Sequence, residues 1–134
     1  MKELLVVCGV LVNKDERVLL CQRAVGRSQA GLWEFPGGKV HGGELCEVAL
    51  VRELFEELGC DVIVGERLSA VVHAYEEFTV RLVPFICRLA AESDPPQDLE
   101  HSEIKWLELG EVSSYPLAPA DVPVLNELLA RERI

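Results

Sequence analysis

The stretch from Glu44 to Gly59 constrains this chain more than any other part of it. It follows the loop His41-Gly42-Gly43 and closes on Gly59, the residue type helix C-termini favour because it adopts a left-handed backbone without strain. The pattern predicts a helix from about Leu45 to Leu58. At 100° per residue, with Glu53 at zero, Glu57 falls at about 40° and Glu56 at about 300°. Val51, Leu54, Phe55 and Leu58 lie between roughly 100° and 200°, so they are expected to enter the core while the carboxylates converge on the opposite side. Five glutamates face one arginine, Arg52, between Glu44 and Glu57. Like charges at i, i+3 and i+4 weaken a helix unless a cation compensates them. Hard oxygen ligands at that density suit Mg²⁺ or Mn²⁺, not zinc. An ordinary exposed acidic face has the same spacing, so the helix alone does not decide.

The flanking segments predict an α+β fold, a mixed sheet packed between helices. Leu4 to Val12 and Val18 to Cys21 are apolar runs around the turn-like Asn13-Lys14-Asp15-Glu16, which reads as a β-hairpin. Residues 24–32 form a small-residue loop, and Trp33-Glu34-Phe35 a short strand ended by Pro36-Gly37-Gly38. Residues 61–89 read as two long strands with a bend near Glu76-Glu77 and with Pro84 at an edge or bulge. Residues 90–100 are a polar, proline-bearing loop. Ile104 to Leu107 make a last strand, and a final helix starts near Asp121 with Val122, Leu125, Leu128 and Leu129 on one side.

No linker or repeat divides the 134 residues, so one domain over 1–134 is expected. No apolar run approaches the roughly 20 residues that span a bilayer, and the start is too short and acidic for a signal peptide. The five cysteines cannot all pair and none has CxxC spacing; reduced, buried thiols in a cytoplasmic protein explain them. The net charge of −10 argues against a nucleic-acid partner.

The loop before the helix separates the two readings of the glutamates. Gly38-Lys39-Val40-His41-Gly42-Gly43-Glu44, then seven residues, then Arg52-Glu53-Leu54-Phe55-Glu56-Glu57-Leu58-Gly59-Cys60 resembles the Nudix box. Every specified position fits except the last, where Cys60 replaces an aliphatic residue. Further similarity runs through Cys21-Gln22-Arg23 and Gln29 to Lys39, as in the MutT-type branch that cleans nucleotide pools. Residues 115–123 (YPLAPADVP) resemble the bacterial CTP pyrophosphohydrolase subgroup.

The resemblance implies hydrolysis of a nucleoside triphosphate to monophosphate and pyrophosphate, with Mg²⁺ (or Mn²⁺) held by Glu53, Glu56, Glu57 and the Gly38 carbonyl. It implies a further ligand at Glu100, six residues before Trp106. Arg52 is expected to orient a glutamate. The general base is Glu53 or Glu44, with Glu53 preferred; Glu44 folds back towards the metal or caps the helix. Arg23 and Lys39 are implied phosphate contacts, and Tyr115 or Phe78 could stack on the base. Asp121 matches an asparagine that bonds a purine in MutT-type enzymes. If ionised it lacks a donor and favours base edges offering N–H groups; its other reading is the N-cap of the last helix. The expected partner is a small nucleotide, with no nucleic acid and no membrane, in a monomer or homodimer. Two alternatives remain: a diadenosine polyphosphate or ADP-ribose hydrolase, since Tyr75 follows the box by 15 residues, and a nucleotide-sensing module.

Overall fold

The computed structural model describes residues 2–131. In chain order the elements are β1 (Lys2–Leu11), β2 (Val18–Gln22), β3 (Trp33–Glu34), β4 (Gly37–Lys39), α1 (Cys46–Leu58), β5 (Val62–Arg67), β6 (Val71–Ala74), β7 (Phe78–Leu89), β8 (Glu103–Leu107) and α2 (Val122–Leu129). Two short 3₁₀ turns, Leu109–Ser114 and Pro119–Asp121, lead into α2.

The apolar run of β1 serves two cores at once. Successive side chains of a strand point to opposite faces. Val7 and Leu11 therefore enter one core, and Cys8 and Val10 the other. Strand β2 splits the same way, with Leu19 and Cys21 on one side and Val18 and Leu20 on the other. In β7 the division is Val83, Phe85 and Cys87 against Leu82 and Ile86. Helix α1 closes the first core with Ala49, Leu50, Leu54 and Leu58; α2 closes the second with Val124, Leu125 and Leu128. Each fully buried leucine contributes about 1.5–3 kcal/mol of transfer free energy.

The larger sheet has the order β4-β1-β7-β5, with β6 also paired to β7. Only β1 and β7 run parallel, matching Lys2 to Phe78 through Leu11 to Cys87. The smaller sheet is β3-β2-β8, antiparallel throughout. The α+β expectation of a mixed sheet between helices is met, with the strands divided over two sheets.

Three local expectations are corrected. Residues 4–21 do not form a hairpin: the turn is present, with Asn13 Oδ1 accepting from Asp15 and Arg17 N–H groups, but past the single Val12–Val18 bridge the strands join different sheets. Residues 61–89 form three strands. Pro84 lies inside β7, the interior strand of its sheet, so the edge reading fails. The bulge reading holds, because the β5 register shifts between Val64 and Arg67 and Leu68 N–H reaches the Pro84 carbonyl at 2.9 Å.

The third correction concerns α1. Val51 and Phe55 are 36% and 56% exposed, while Ala49, Leu50, Leu54, Glu57 and Leu58 are buried. The inward face is thus rotated towards the glutamates. Gly9 shows why: a Cβ there would meet Cys87 Sγ at 2.9 Å and Leu54 Cδ2 at 3.3 Å, so the bare backbone lets the helix seat on that flank. Gly59 caps the helix as expected, with φ 67° and its N–H on the Phe55 carbonyl at 2.9 Å.

All five cysteines are free; Cys8, Cys21, Cys60 and Cys87 are buried. Burial pushes the Cys60 thiol up to about 11 and the Cys87 thiol up to about 12, and those of Cys8 and Cys21 well up too. Cys60 packs against the first core, so its place in the box is a packing position. Among the described residues no helix is long and apolar enough to cross a membrane.

Candidate active site

Strand β4 and helix α1 bring the glycine loop against the glutamates. A Cβ on Gly38 would overlap the carboxyl of Glu53, and one on Gly37 would overlap the Val7 backbone. The two glycines therefore do different things: Gly37 lets β4 lie on β1, and Gly38 leaves the space that Glu53 fills.

Glu57, one turn on, is 8% exposed. Burial first, then a hydrogen bond to Glu53 and the charges of Glu53, Glu34 and Glu100, push its carboxyl far above the ordinary range. The cluster is compressed negative charge that shares a hydrogen where it lacks a counter-ion. That donor chemistry fits a divalent cation, which would invert the local balance and let both carboxyls ionise. Among the described residues no three acidic, histidine or cysteine side chains already form a closed cage.

Arg52 supplies the fixed positive charge. Its Nε and Nη2 donate to Glu44 at 2.8 and 2.9 Å, its Nη1 to Glu53 at 3.0 Å, and Nη2 also to the Lys39 carbonyl at 3.0 Å. Glu56 lies at 3.4 Å from Nη1, with half of its side chain exposed. Glu44 also accepts from His41 N–H at 3.0 Å. The first helical turn begins after Leu45 without a side-chain cap. Glu44 is therefore neither a cap nor directed to Glu53, but a clamp on Arg52.

A second network meets Glu57 from the smaller sheet. Arg23 Nη1 pairs with Glu34 at 2.7 Å, and Glu34 Oε2 lies 3.1 Å from His101 Nε2. His101 Nε2 is in turn 3.7 Å from Glu57 Oε1. Arg23 also donates from Nε to the Ser28 carbonyl at 2.6 Å, which folds the 24–32 loop back over it. Arg27 from that loop reaches Glu100 at 3.3 Å. Glu34, His101 and Arg27 went unnoticed as site residues in the sequence. Glu34 lies inside the Gln29–Lys39 similarity and His101 beside Glu100, but only the fold shows that both face Glu57.

These groups open on a cleft of about 810 Å³ whose walls include Arg23, Gly38, Lys39, Glu53, Glu57 and Glu100. Further along the same cleft stand Phe78, Tyr75 and Asp121, with apolar Val6, Val80 and Leu82 between them. Tyr75 and Phe78 pack with ring centroids 5.3 Å apart. Tyr115 is not part of the cleft wall. It packs edge-on to Trp33 at 5.0 Å and takes a hydrogen bond from Lys105 Nζ at 3.4 Å, so it supports the core beneath the strand.

Asp121 is 5% exposed at the start of α2. Its carboxylate makes no cap there; Oδ2 accepts the Phe35 N–H at 3.0 Å. Burial, then the charge of Glu34, raise its carboxyl well above the ordinary range. The acceptor-only reading of Asp121 holds for its ionised form; the protonated carboxyl that this burial favours offers one donor as well as an acceptor.

The NUDIX domain family model matches residues 2–128. The chain is 40% identical over 129 residues to the CTP pyrophosphohydrolase of Escherichia coli K12, covering 92% of this chain and 90% of that one. It is 31% identical over 129 residues to the 8-oxo-dGTP diphosphatase of the same organism, covering 96% and 98%. Among solved structures, the E. coli ORF135 protein superposes with a TM-score of 0.81 at 38% identity over 97% of this chain and 93% of the other. A MutT protein from Staphylococcus aureus superposes with a TM-score of 0.77 at 38% identity, over 96% and 98%. With the loop–helix box matched at every specified position but Cys60 and the family match running nearly end to end, the chain belongs to the Nudix hydrolase family.

Proposed function

We propose that this chain is a single-domain, Mg²⁺-dependent nucleoside triphosphate pyrophosphohydrolase. Its substrates are (d)CTP, modified cytidine triphosphates or 8-oxo-dGTP, cleaved to the monophosphate and pyrophosphate. The reading fits nucleotide-pool cleaning in the cytoplasm, where reduced thiols persist. One observation carries it: Glu53 and Glu57 share the wall of one cleft with Arg23, Lys39 and Asp121. Relatives named for CTP and for 8-oxo-dGTP support the substrate class.

Glu53, Glu56 and Glu57, with the Gly38 carbonyl and Glu100, would hold the cation. When bound, it neutralises phosphate oxygens and lowers the pKa of the attacking water. Arg23 and Lys39 bind the outer phosphates and draw the anionic substrate into an acidic protein. Glu53, braced by Arg52, accepts the proton of the water that attacks phosphorus. Phe78 packs on the base, and Asp121 bonds its edge. The pyrophosphate leaves with its negative charge balanced by Arg23 and Lys39.

A screen of CTP, dCTP, 5-substituted dCTPs, 8-oxo-dGTP and dinucleoside polyphosphates with Mg²⁺, read for pyrophosphate against orthophosphate, tests the reading. Pyrophosphate from a cytidine or oxidised guanosine triphosphate is expected. Orthophosphate alone, or turnover confined to dinucleotides, overturns it.

A further inference from the structure

Among the described residues, His101 lies against both Glu34 of the second network and Glu57 of the first. It sits just before β8, where Ser102 N–H donates to the Gln22 carbonyl at 3.0 Å and so pins the chain beside Arg23. Its side chain is 6% exposed. Together with Arg23, Arg27, Glu34, Glu57 and Glu100 it lines a small open pocket of about 60 Å³. Glu34 already accepts from Arg23, and a carboxylate has no hydrogen to give, so the bond to His101 is donated by Nε2–H. Nδ1 is buried with no partner among the described residues. A buried imidazole with an unpaired nitrogen is a poor space-filler; an apolar side chain would occupy the same room without that cost. What the ring supplies is a donor, 3.1 Å from Glu34 and 3.7 Å from Glu57.

We propose that His101 is a positioning residue for the metal-binding carboxylates: its Nε2–H holds Glu34 beside Glu57 and thereby couples the phosphate-binding Arg23 to the cation site. The arrangement also crosses the join between the sheets. Arg23, Glu34 and His101 belong to strands of the smaller sheet or their ends, whereas Glu57 rides on the helix that covers the larger one. Outer-shell donors of this kind set the orientation of ligating carboxylates, and their loss weakens metal affinity about 10- to 100-fold. The inference rests on the reading that Glu57 serves a divalent cation.

Mn²⁺ titration of the full chain by electron paramagnetic resonance, without substrate, tests it. His101→Leu should weaken Mn²⁺ binding about 10- to 100-fold, and His101→Gln, whose amide can donate from a similar reach, should restore most of it. His101→Asn, too short to place its donor, should bind as weakly as the leucine variant and carries the comparison if His101→Leu does not fold. Wild-type affinity in His101→Leu, or equal affinity in the Gln and Asn variants, overturns the proposal. Glu57→Gln is the control. If it loses Mn²⁺ while the His101 variants do not, the metal site stands and the positioning role falls; if it also binds normally, both fall.

Discussion

Arg52 grips Glu44 through two parallel N–H···O bonds of 2.8 and 2.9 Å, across eight residues of loop and helix. A bidentate guanidinium–carboxylate pair is among the stronger and more directional contacts a side chain can make. It ties the glycine loop to the helix and leaves the third arm of Arg52 for Glu53. With both Glu44 oxygens engaged, the proposed mechanism assigns the base to Glu53. Glu53→Gln should lower kcat by at least about 100-fold. Glu44→Gln should cost about tenfold, through a displaced Arg52. Steady-state kinetics on the preferred triphosphate decide, and the reverse order would make Glu44 the base.

The same pair has a pH signature. The Arg52 hydrogen bonds, then the His41 N–H, lower the Glu44 carboxyl to about 2. Its folded pKa lies below the unfolded one, so its stabilising effect is present above roughly pH 4.5 and fades as pH falls towards 2. The melting temperature of Glu44→Gln should trail the wild type at pH 6, and the gap should narrow by pH 3. A constant gap would mean that the pair contributes by packing alone.

Gly37 and Gly38 should separate fold from function. Gly37→Ala pushes a methyl into the Val7 backbone, which cannot give, and should lose stability or fail to fold. Gly38→Ala meets only the end of the Glu53 side chain, which can swing away. It should melt near the wild type yet lose at least about tenfold in kcat, because about 1 Å of misplacement at a catalytic group is costly. Full activity in Gly38→Ala would show that Glu53 need not sit there.

Glu57→Gln should stabilise the metal-free protein and abolish its response to the cation. Burial, then a hydrogen bond to Glu53 and the charges of three neighbouring carboxylates, raise the Glu57 carboxyl to about 10, so stability falls as pH climbs from the unfolded value near 4.5 towards the folded one, and glutamine removes that cost. Mg²⁺ at 100 times its Kd stabilises the wild type by about 2.7 kcal/mol. A thermal shift of wild-type size in the variant would remove Glu57 from the ligand set.

Asp121→Asn should melt higher than the wild type at alkaline pH, with the difference closing as pH falls. Burial, then the charge of Glu34, raise the Asp121 carboxyl, so its penalty grows as pH climbs above the unfolded value and is absent below it. Asparagine can still accept the Phe35 N–H. The ratio of kcat/KM for dCTP and 8-oxo-dGTP should change in the same variant; a change in stability without a change in preference would confine Asp121 to the fold.

Much of this was visible in residue order, for physical reasons that can be named. The Gly59 terminus, the polar 90–100 loop and the presence of the last helix are local matters of backbone freedom and periodicity; the inward face of that helix is not, since Val122 and Leu129 are exposed and Val124 is buried with Leu125 and Leu128. The inward face of α1 was misjudged because a helical wheel knows only the helix. The partner surface, thinned at Gly9 and Gly38, draws in the arc that holds Glu57 and leaves Phe55 outside. Tyr115 was expected at the base and lies against Trp33, since a short segment gives no direction to a side chain. His101 and Glu34 are 67 residues apart and meet only because β8 and β3 flank β2.

The sulfur chemistry of the two cores has a further consequence. Oxidants attack the thiolate, and burial holds Cys8, Cys21, Cys60 and Cys87 in the neutral thiol form. On the proposed reading the substrates include oxidised nucleotides, which would place the protein in the same surroundings that damage them. Its four interior sulfurs are shielded on both counts, by lack of access and by lack of charge, so the fold is suited to oxidising conditions.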